Sequence, residues 1–133
     1  MRYMLDTNIC IYAIKHRPAA VLDALRTHEA AGIGLSAISA AELQFGARKS
    51  GSARNLAALA QFFEPLEIAD FDPAAAQAYG PVRAALEARG TPIGPLDTLI
   101  AAHALALDVM LVTHNTREFA RVPGLRVADW ATP

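Results

Sequence analysis

Three acidic residues occupy positions from which a carboxylate can reach a ligand. Asp6 directly follows a short apolar run at residues 3–5, which we interpret as a buried first strand. Glu42 lies in the first turn of the helix that we predict after a second strand, and Asp97 lies in the first turn of a strongly apolar helix. Asn115 adds an amide after a further apolar run. Because ligands bind outside the carboxyl ends of the strands in an open parallel sheet, we expect these four side chains to converge at one edge.

A pocket of this composition favours metal-assisted chemistry. Carboxylates that share a pocket repel each other, so either their pKa values rise or a cation neutralises them. Oxygen ligands without histidine or thiolate partners suit Mg²⁺, or Mn²⁺, better than zinc. Such an ion lowers the pKa of a bound water and stabilises charge on a phosphoryl oxygen. Hydrolysis of a phosphodiester is consistent with such a pocket, but the position of these residues at a sheet edge does not by itself select this reaction.

The elements that would position these residues alternate between apolar strands and helices. We predict strands at residues 3–5, 32–35, 66–69, 109–112 and 125–127. Apolar strands separated by helices imply a parallel sheet that is covered on both faces. The predicted fold class is α/β, with three layers, α/β/α, around a central and mainly parallel sheet. One domain should span residues 1–133.

Polar residues and prolines indicate where the helices begin. We expect Thr7 or Asn8 to cap the first helix. Ser39 and Glu42 have the spacing of a capping box, which predicts that a helix opens there. Further helices are predicted to start at Pro18, to cover residues 56–63, to run from Asp72 to Gly90, and to cover residues 96–107. A polar stretch, residues 113–117, follows the fourth strand.

Composition and charge limit the classes of function. The chain has 133 residues, of which 53% are hydrophobic and 19% are charged, and these values exclude a disordered protein. The formal net charge of −1 argues against nucleic-acid binding by bulk positive charge. An RNA substrate would therefore have to be held by a few arginines or by a bound metal ion.

The cysteine count and the hydropathy pattern bear on location. Cys10 is the only cysteine, so no internal disulfide can form and a cytosolic setting is expected. Asp6 falls where the apolar core of a signal peptide would run. No stretch approaches the roughly 18 unbroken apolar residues of a membrane span. We therefore expect a cytoplasmic protein that does not contact a membrane.

Four short motifs occur in a fixed order along the chain. They are MLDTN at residues 4–8, SAAEL at 39–43, LDTLIAAHA at 96–104 and LVTHN at 111–115. Together they closely resemble the PIN-domain ribonucleases, specifically the VapC-type toxins of bacterial toxin–antitoxin pairs. The resemblance covers essentially the whole chain, through VADW at residues 127–130. Each motif alone is common, and it is the ordered set that is specific.

The resemblance implies a PIN-like fold and Mg²⁺-dependent endonucleolytic cleavage of RNA, with Mn²⁺ as a possible substitute. It implies that Asp6 and Asp97 are metal ligands and that Glu42 is a third acidic ligand, either directly or through water. The family often has an aspartate where Asn115 stands. Because Asn115 carries no charge, we expect it to position water or a phosphate instead of holding a second metal tightly.

The resemblance also implies a substrate and partners. Members that open with LDTN, here residues 5–8, resemble those that cut the anticodon loop of initiator tRNA. The family pattern implies a cognate VapB-type antitoxin that blocks the site, and a toxin homodimer that can enter a higher assembly. Further candidates for contact with the RNA are Thr7, Thr113, His114, Arg48 and Lys49.

Each candidate residue also has a purely structural explanation. Asp6 could cap the first helix, Glu42 could complete its capping box, and Asp97 could stabilise a helix dipole. Asn115 could form a turn. His103 falls on a different helical face from Asp97 and is expected to be structural. For Arg48 and Lys49 the alternatives are a solvated face and a rim that contacts phosphate.

Two other functions compete with RNA cleavage. The first is a PIN-like module that binds RNA or a partner without cutting, and the three retained acids argue against it. The second is an unrelated α/β phosphatase or nucleotide-binding domain. The sequence contains neither a GxGxxG motif nor a phosphate-binding GK[ST] loop, and residues 6–8 lack the second aspartate that an aspartyl-phosphate phosphatase usually carries.

Overall fold

A computed structural model describes residues 1–132, and its centre is one five-stranded sheet. The strands are β1 (Tyr3–Leu5), β2 (Ile33–Ser36), β3 (Glu67–Ala69), β4 (Met110–Val112) and β5 (Val127–Ala128). Every pair of neighbouring strands is parallel, and the order across the sheet is β3-β2-β1-β4-β5. The predicted parallel sheet is therefore confirmed.

The strand order places a topological switch point in the middle of the sheet. From β1 the chain moves to one side, to β2 and β3, and then returns to the other side of β1 to form β4. Strands β1 and β4 pair side by side, from Tyr3 opposite Met110 to Leu5 opposite Val112. Connections that leave neighbouring strands in opposite directions open a crevice at the carboxyl ends of those strands. In this chain the crevice lies between the segments that follow Leu5 and Val112.

Helices cover both faces of the sheet within residues 1–132. They are α1 (Thr7–Ile14), α2 (Ala19–His28), α3 (Ala37–Lys49), α4 (Ala53–Phe63), α5 (Pro73–Ala88), α6 (Pro95–Leu107) and α7 (Thr116–Phe119), with a 3-10 turn at Glu29–Ala31. Side chains of α1 to α4 bury one face and side chains of α5 to α7 bury the other. The three layers follow from this division.

The alternation of strand side chains explains the two cores. Met4 faces the core under α5 and α6, and its neighbour Leu5 faces the core under α1 and α3. Both side chains are fully buried. Burial of a side chain of this size contributes about 1.5–3 kcal/mol to stability. The short β1 is thus held from both sides, which fixes the position of the residue that follows it.

Two predicted helix starts were wrong in their detail. Asp6, and not Thr7 or Asn8, caps α1, because its side chain accepts a hydrogen bond from the N–H of Ile9. The capping box at Ser39 does not form. The chain already becomes helical at Ala37, directly after β2, and Ser36 is the N-cap. Glu42 therefore lies in the second turn of α3.

The C-terminal boundaries also differ from the prediction. The polar stretch at residues 113–117 contains the start of α7, which lets Phe119 enter the core. The last strand is Val127–Ala128, later than the predicted 125–127, because Val127 and Ala128 are the residues that pair with β4. None of the helices described within residues 1–132 is long and apolar enough to cross a membrane.

Candidate active site

Asp6 is the most buried acid at the switch point, with 4% of its surface exposed. Its backbone N–H donates to the carbonyl of Val112 at 2.9 Å, so the residue is held between the ends of β1 and β4. Its Oδ1 accepts from the N–H of Ile9 at 2.9 Å. The cap occupies one oxygen of the carboxylate, and helix capping and a site role are therefore compatible.

Burial raises the pKa of Asp6, and the negative charge of Glu42 raises it further. Hydrogen bonds from the side chain of Thr113 and the backbone of Ile9 oppose this rise, as does the nearby His114. Thr113 is itself fully buried, directly after β4. These contributions place Asp6, Glu42, Thr113 and His114 in one neighbourhood, as the convergence of strand ends predicts.

Glu42 is joined to the end of β1 by a hydrogen bond between side chains. The hydroxyl of Thr7 donates to Oε1 of Glu42 at 2.7 Å, and the two residues are 35 positions apart in sequence. Both are half-buried. The bond fixes the carboxylate of α3 beside the first turn of α1, where Asp6 also lies.

Asp97 completes the set of three predicted acids. It lies in the first turn of α6, and its pKa is raised to about 6. Burial is the largest cause, followed by the negative charges of Glu118, Asp6 and Glu42. The structure therefore brings Asp6 and Glu42 close enough to Asp97 for their negative charges to raise its pKa.

Glu118 is an acid of this site that the sequence analysis missed. Its Oε1 accepts a hydrogen bond from the backbone N–H of Gly94 at 3.2 Å, just before α6. Its Oε2 accepts from Nδ2 of Asn115. The available signal was the spacing, since residues three apart face the same side of a helical turn. Glu118 supplies near Asp97 the negative charge that Asn115 lacks.

Asn115 lies next to Glu118, and its observed contacts are with its own loop. Its side chain binds Glu118, and its N–H donates to Oγ1 of Thr113 at 2.9 Å. Asn115 therefore holds the loop and the carboxylate of Glu118 in place.

The remaining candidates divide into two groups. His114 stands beside Asp6, with its Nδ1 3.0 Å from Oδ2 of Asp129. Arg48 and Lys49 lie exposed in the last turn of α3, about 10 Å along the helix from Glu42 at 1.5 Å per residue. No contact described within residues 1–132 joins these two cations to the acids. They therefore lie outside the acidic cluster.

His103 does not belong to the acidic cluster. It is fully buried, and its Nδ1 lies 2.8 Å from Oγ of Ser36, the N-cap of α3. The prediction of a structural histidine is confirmed. The contact ties the helix that carries Asp97 to the start of the helix that carries Glu42.

An apolar groove opens beside the acids. It runs between α1, α3 and α4, encloses about 310 Å³, and has Thr7 and Glu42 in its wall. A larger cavity of about 520 Å³ lies far from the acids, where Ile33 and Glu67 begin their strands. Glu42 is the member of the acidic cluster that lines the smaller groove, which therefore adjoins the site.

The donor set of the site fits a hard divalent cation in its chemistry. Carboxylate oxygens of this kind are the ligands that Mg²⁺ and Mn²⁺ prefer, and a cation would remove the repulsion that raises the pKa of Asp97. As the side chains stand in residues 1–132, no three acidic, histidine or cysteine groups form a ready-made metal cage. The fit therefore rests on donor type and charge.

Comparison with known proteins assigns the fold and the acidic site to one protein family. The family model of the PIN domain matches residues 3–125, which include all four acids. PIN-domain nucleases generally depend on divalent metal ions.

Individual relatives narrow the class. The chain is 43% identical over 132 residues to a tRNA(fMet)-specific endonuclease VapC of Shigella flexneri, with 98% of this chain and 99% of the relative covered. It is 44% identical to ribonuclease VapC2 of Haemophilus influenzae, with 98% of both chains covered. The crystal structure of VapBC2 from Rickettsia felis, bound to a promoter DNA fragment, matches with a TM-score of 0.90 at 42% identity, covering 98% of this chain and 99% of that one. The chain therefore belongs to the VapC family of PIN-domain ribonucleases.

Proposed function

We propose that this chain, acting as one PIN domain over its whole length, is the toxin of a toxin–antitoxin pair and cleaves tRNA in the cytoplasm with Mg²⁺. The observation that carries the proposal is the convergence of Asp6, Glu42 and Asp97 at the switch point between β1 and β4, with the pKa of Asp97 raised to about 6. Burial is the largest cause of this rise, and the negative charges of the neighbouring acids add to it. A bound cation would offset that repulsion.

In this proposal Asp6, Asp97 and Glu42 hold the ion. A bound Mg²⁺ would activate water and offset charge on the scissile phosphate. Asp6 is oriented by the α1 cap and Glu42 by Thr7. We add Glu118 as a fourth acid that faces Asp97 and that Asn115 keeps in place.

Residues around the acids would meet the RNA. Thr113 and Thr7 orient the carboxylates of Asp6 and Glu42 and lie at the base of the crevice. Arg48 and Lys49 are proposed to contact phosphates farther along the strand, because they provide exposed positive charge on the helix that carries Glu42.

The proposed substrate is initiator tRNA. Support comes from the identity of 43% with the Shigella enzyme, which is named tRNA(fMet)-specific, and from the LDTN opening at residues 5–8. A net charge of −1 gives the protein little general attraction for nucleic acid, which favours a defined RNA structure over any available strand.

The proposed partners are a VapB-type antitoxin and a second copy of the chain. An antitoxin that blocks the site would find an apolar surface in the groove beside Glu42, and Phe45 on the same helix is 67% exposed. Ile68, Leu96 and Leu107 are also exposed and are candidates for coverage in a homodimer. Light scattering of the purified toxin tests the dimer directly.

Incubation of the purified, antitoxin-free protein with a total tRNA pool tests the proposed function. We expect cleavage at one position in Mg²⁺, identified by sequencing the new ends, and loss of cleavage in EDTA and in Asp97→Asn. The matched control is Asp108→Asn, at the opposite, exposed end of α6. Binding of the tRNA without any cleavage would favour a non-catalytic RNA-binding module.

A further inference from the structure

His114 is an exposed side chain that is nevertheless held in one orientation. It follows β4 by two residues, and 51% of its side chain is accessible to solvent. Its Nδ1 lies 3.0 Å from Oδ2 of Asp129. This contact restricts the orientation of the imidazole ring.

Asp129 is in turn fixed by its own surroundings. Its carboxylate accepts hydrogen bonds from the N–H of Ala131 and the hydroxyl of Thr132, both at 2.8 Å. Partial burial alone would raise the pKa of Asp129, but these bonds and His114 lower it. The next residue, Trp130, is buried and stacks on His28 at 4.8 Å. The carboxylate that orients His114 is therefore ionised and anchored.

The ring of His114 lies at the end of β4, next to the end of β1. The backbone N–H of Asp6 donates to the carbonyl of Val112 at 2.9 Å, and His114 follows Val112 by two residues. The ring of Tyr12, on α1, meets the His114 ring edge-on, with centroids 6.1 Å apart and planes at 65°. The two rings come from the segments that follow β1 and β4, the strands that form the switch point.

We propose that His114, oriented by Asp129 and flanked by Tyr12, forms a stacking subsite for an unpaired nucleobase next to the scissile phosphate. This inference rests on the proposed function and names how that site holds its RNA. Unpaired bases of RNA loops commonly stack on aromatic side chains, including histidine. Because a net charge of −1 gives little general attraction for RNA, a stacking contact would add to the binding provided by the metal ion and by the cationic rim.

If the contact between His114 and Asp129 is only structural, substitutions of His114 should have different effects from those that stacking predicts. If His114 only tied the C-terminal segment to β4 through Asp129, a side chain that keeps the hydrogen bond would replace it. His114→Asn keeps a donor and removes the ring, whereas His114→Phe keeps the ring and removes the donor. Stacking predicts that Phe is the better replacement, and a tether predicts that Asn is.

The experiment measures RNA binding in a background that cannot cut. A fluorescein-labelled anticodon stem-loop of initiator tRNA is titrated with Asp97→Asn protein in Mg²⁺, and Kd is read by anisotropy. We expect His114→Ala and His114→Asn to raise Kd about tenfold, in line with the loss of one stacked base, and His114→Phe to stay within about threefold. His16→Asn, an exposed histidine at the far end of α1, is the matched control and should leave Kd unchanged.

Two further measurements distinguish a failure of the stacking proposal from a failure of the proposed function. Cleavage by the otherwise unmodified protein is measured in parallel, and thermal melting confirms that each variant is folded. Normal binding by His114→Ala or His114→Asn, with cleavage intact, would overturn the stacking subsite alone. Absence of both cleavage by the unmodified protein and binding by Asp97→Asn would overturn the proposed function as well.

Discussion

Glu118 lies beside Asp97, and its negative charge is the largest electrostatic contribution to the raised pKa of that residue, after burial. The pair joins α7 to the first turn of α6, because Glu118 also accepts a hydrogen bond from the N–H of Gly94. An acid on a four-residue helix thereby becomes part of a site otherwise built from the segments that follow β1, β2 and β4 and from the start of α6.

Glu118→Gln should lower the pKa of Asp97 by removing this charge while keeping the hydrogen bond to Gly94. NMR titration of the metal-free protein would measure the shift. We also expect weaker Mg²⁺ binding by calorimetry and slower RNA cleavage, because one negative charge near the ion is lost. An unchanged pKa of Asp97 would show that the two carboxylates do not interact.

The raised pKa of Asp97 has a consequence for stability. Its value of about 6 lies above the ordinary 3.8, so the folded protein binds this proton more tightly than the unfolded chain does. The contribution to stability is present below about pH 4 and is lost as pH rises through 6. Asp97→Asn should therefore be more stable than the unmodified protein at pH 7 by about 1 kcal/mol, after allowance for solvent screening, and equally stable near pH 4.

Urea unfolding of both proteins in EDTA at pH 4 and pH 7 measures this difference. Asp108→Asn changes an exposed side chain at the other end of α6 that forms only a surface ion pair with Arg126, and it should show no such gain at pH 7. A destabilised Asp97→Asn at pH 7 would contradict the raised pKa of Asp97. Added Mg²⁺ should stabilise the unmodified protein and leave Asp97→Asn almost unaffected.

Thr7→Val removes the hydroxyl that holds Glu42 and keeps the shape of the side chain. We expect RNA cleavage to fall about tenfold, because a misoriented carboxylate costs positioning more than folding. Thr7→Ser should restore most of the activity, since it keeps the 2.7 Å donor. Equal rates for Thr7→Val and the unmodified protein would show that this bond is incidental to activity.

The start of α3 provides a test of the fold itself. Ser36 caps the helix through the N–H of Ile38 and contacts His103, whereas the hydroxyl of buried Ser39 has no partner among the described residues. Ser36→Ala should cost about 1–2 kcal/mol of stability, and Ser39→Ala should be neutral or stabilising. Thermal unfolding of the two variants distinguishes this helix start from the capping box suggested by the sequence.

Reversal of charge at Arg48 and Lys49 tests the proposed rim. The double variant Arg48→Glu/Lys49→Glu should cleave more slowly and depend less on salt concentration, because two phosphate contacts are lost. Both side chains are exposed, so folding should be preserved. Unchanged cleavage and an unchanged salt dependence would leave them as an ordinary solvated surface.

Much of the fold follows from local sequence patterns. Short apolar runs bounded by polar residues predicted all five strands, and Asp72 with Pro73 predicted the start of α5. Helix starts were less predictable, since Ser36 and Ser39 both have the chemistry of a cap. Only the register of β2 decides which of them stands where the chain turns helical.

The site was predictable where residues follow strands and less so elsewhere. Asp6 and Thr113 directly follow β1 and β4, so their convergence follows from parallel topology. Glu118 was missed because its place depends on a short helix that the polar residues 113–117 do not indicate. The contact between His114 and Asp129 depends on how buried Trp130 anchors the C-terminal segment, which no local pattern encodes.

Cleavage of initiator tRNA, followed as a function of Mg²⁺ concentration, is the most direct test of the acidic site. We predict that the unmodified protein and Asp108→Asn show the same saturable dependence on Mg²⁺. Asp97→Asn, folded and at the same protein concentration, should cleave the tRNA at least about a hundredfold more slowly at every Mg²⁺ concentration. Cleavage by Asp97→Asn at the rate of the unmodified protein, or full cleavage in EDTA, would contradict a metal-dependent site built on Asp6, Glu42 and Asp97.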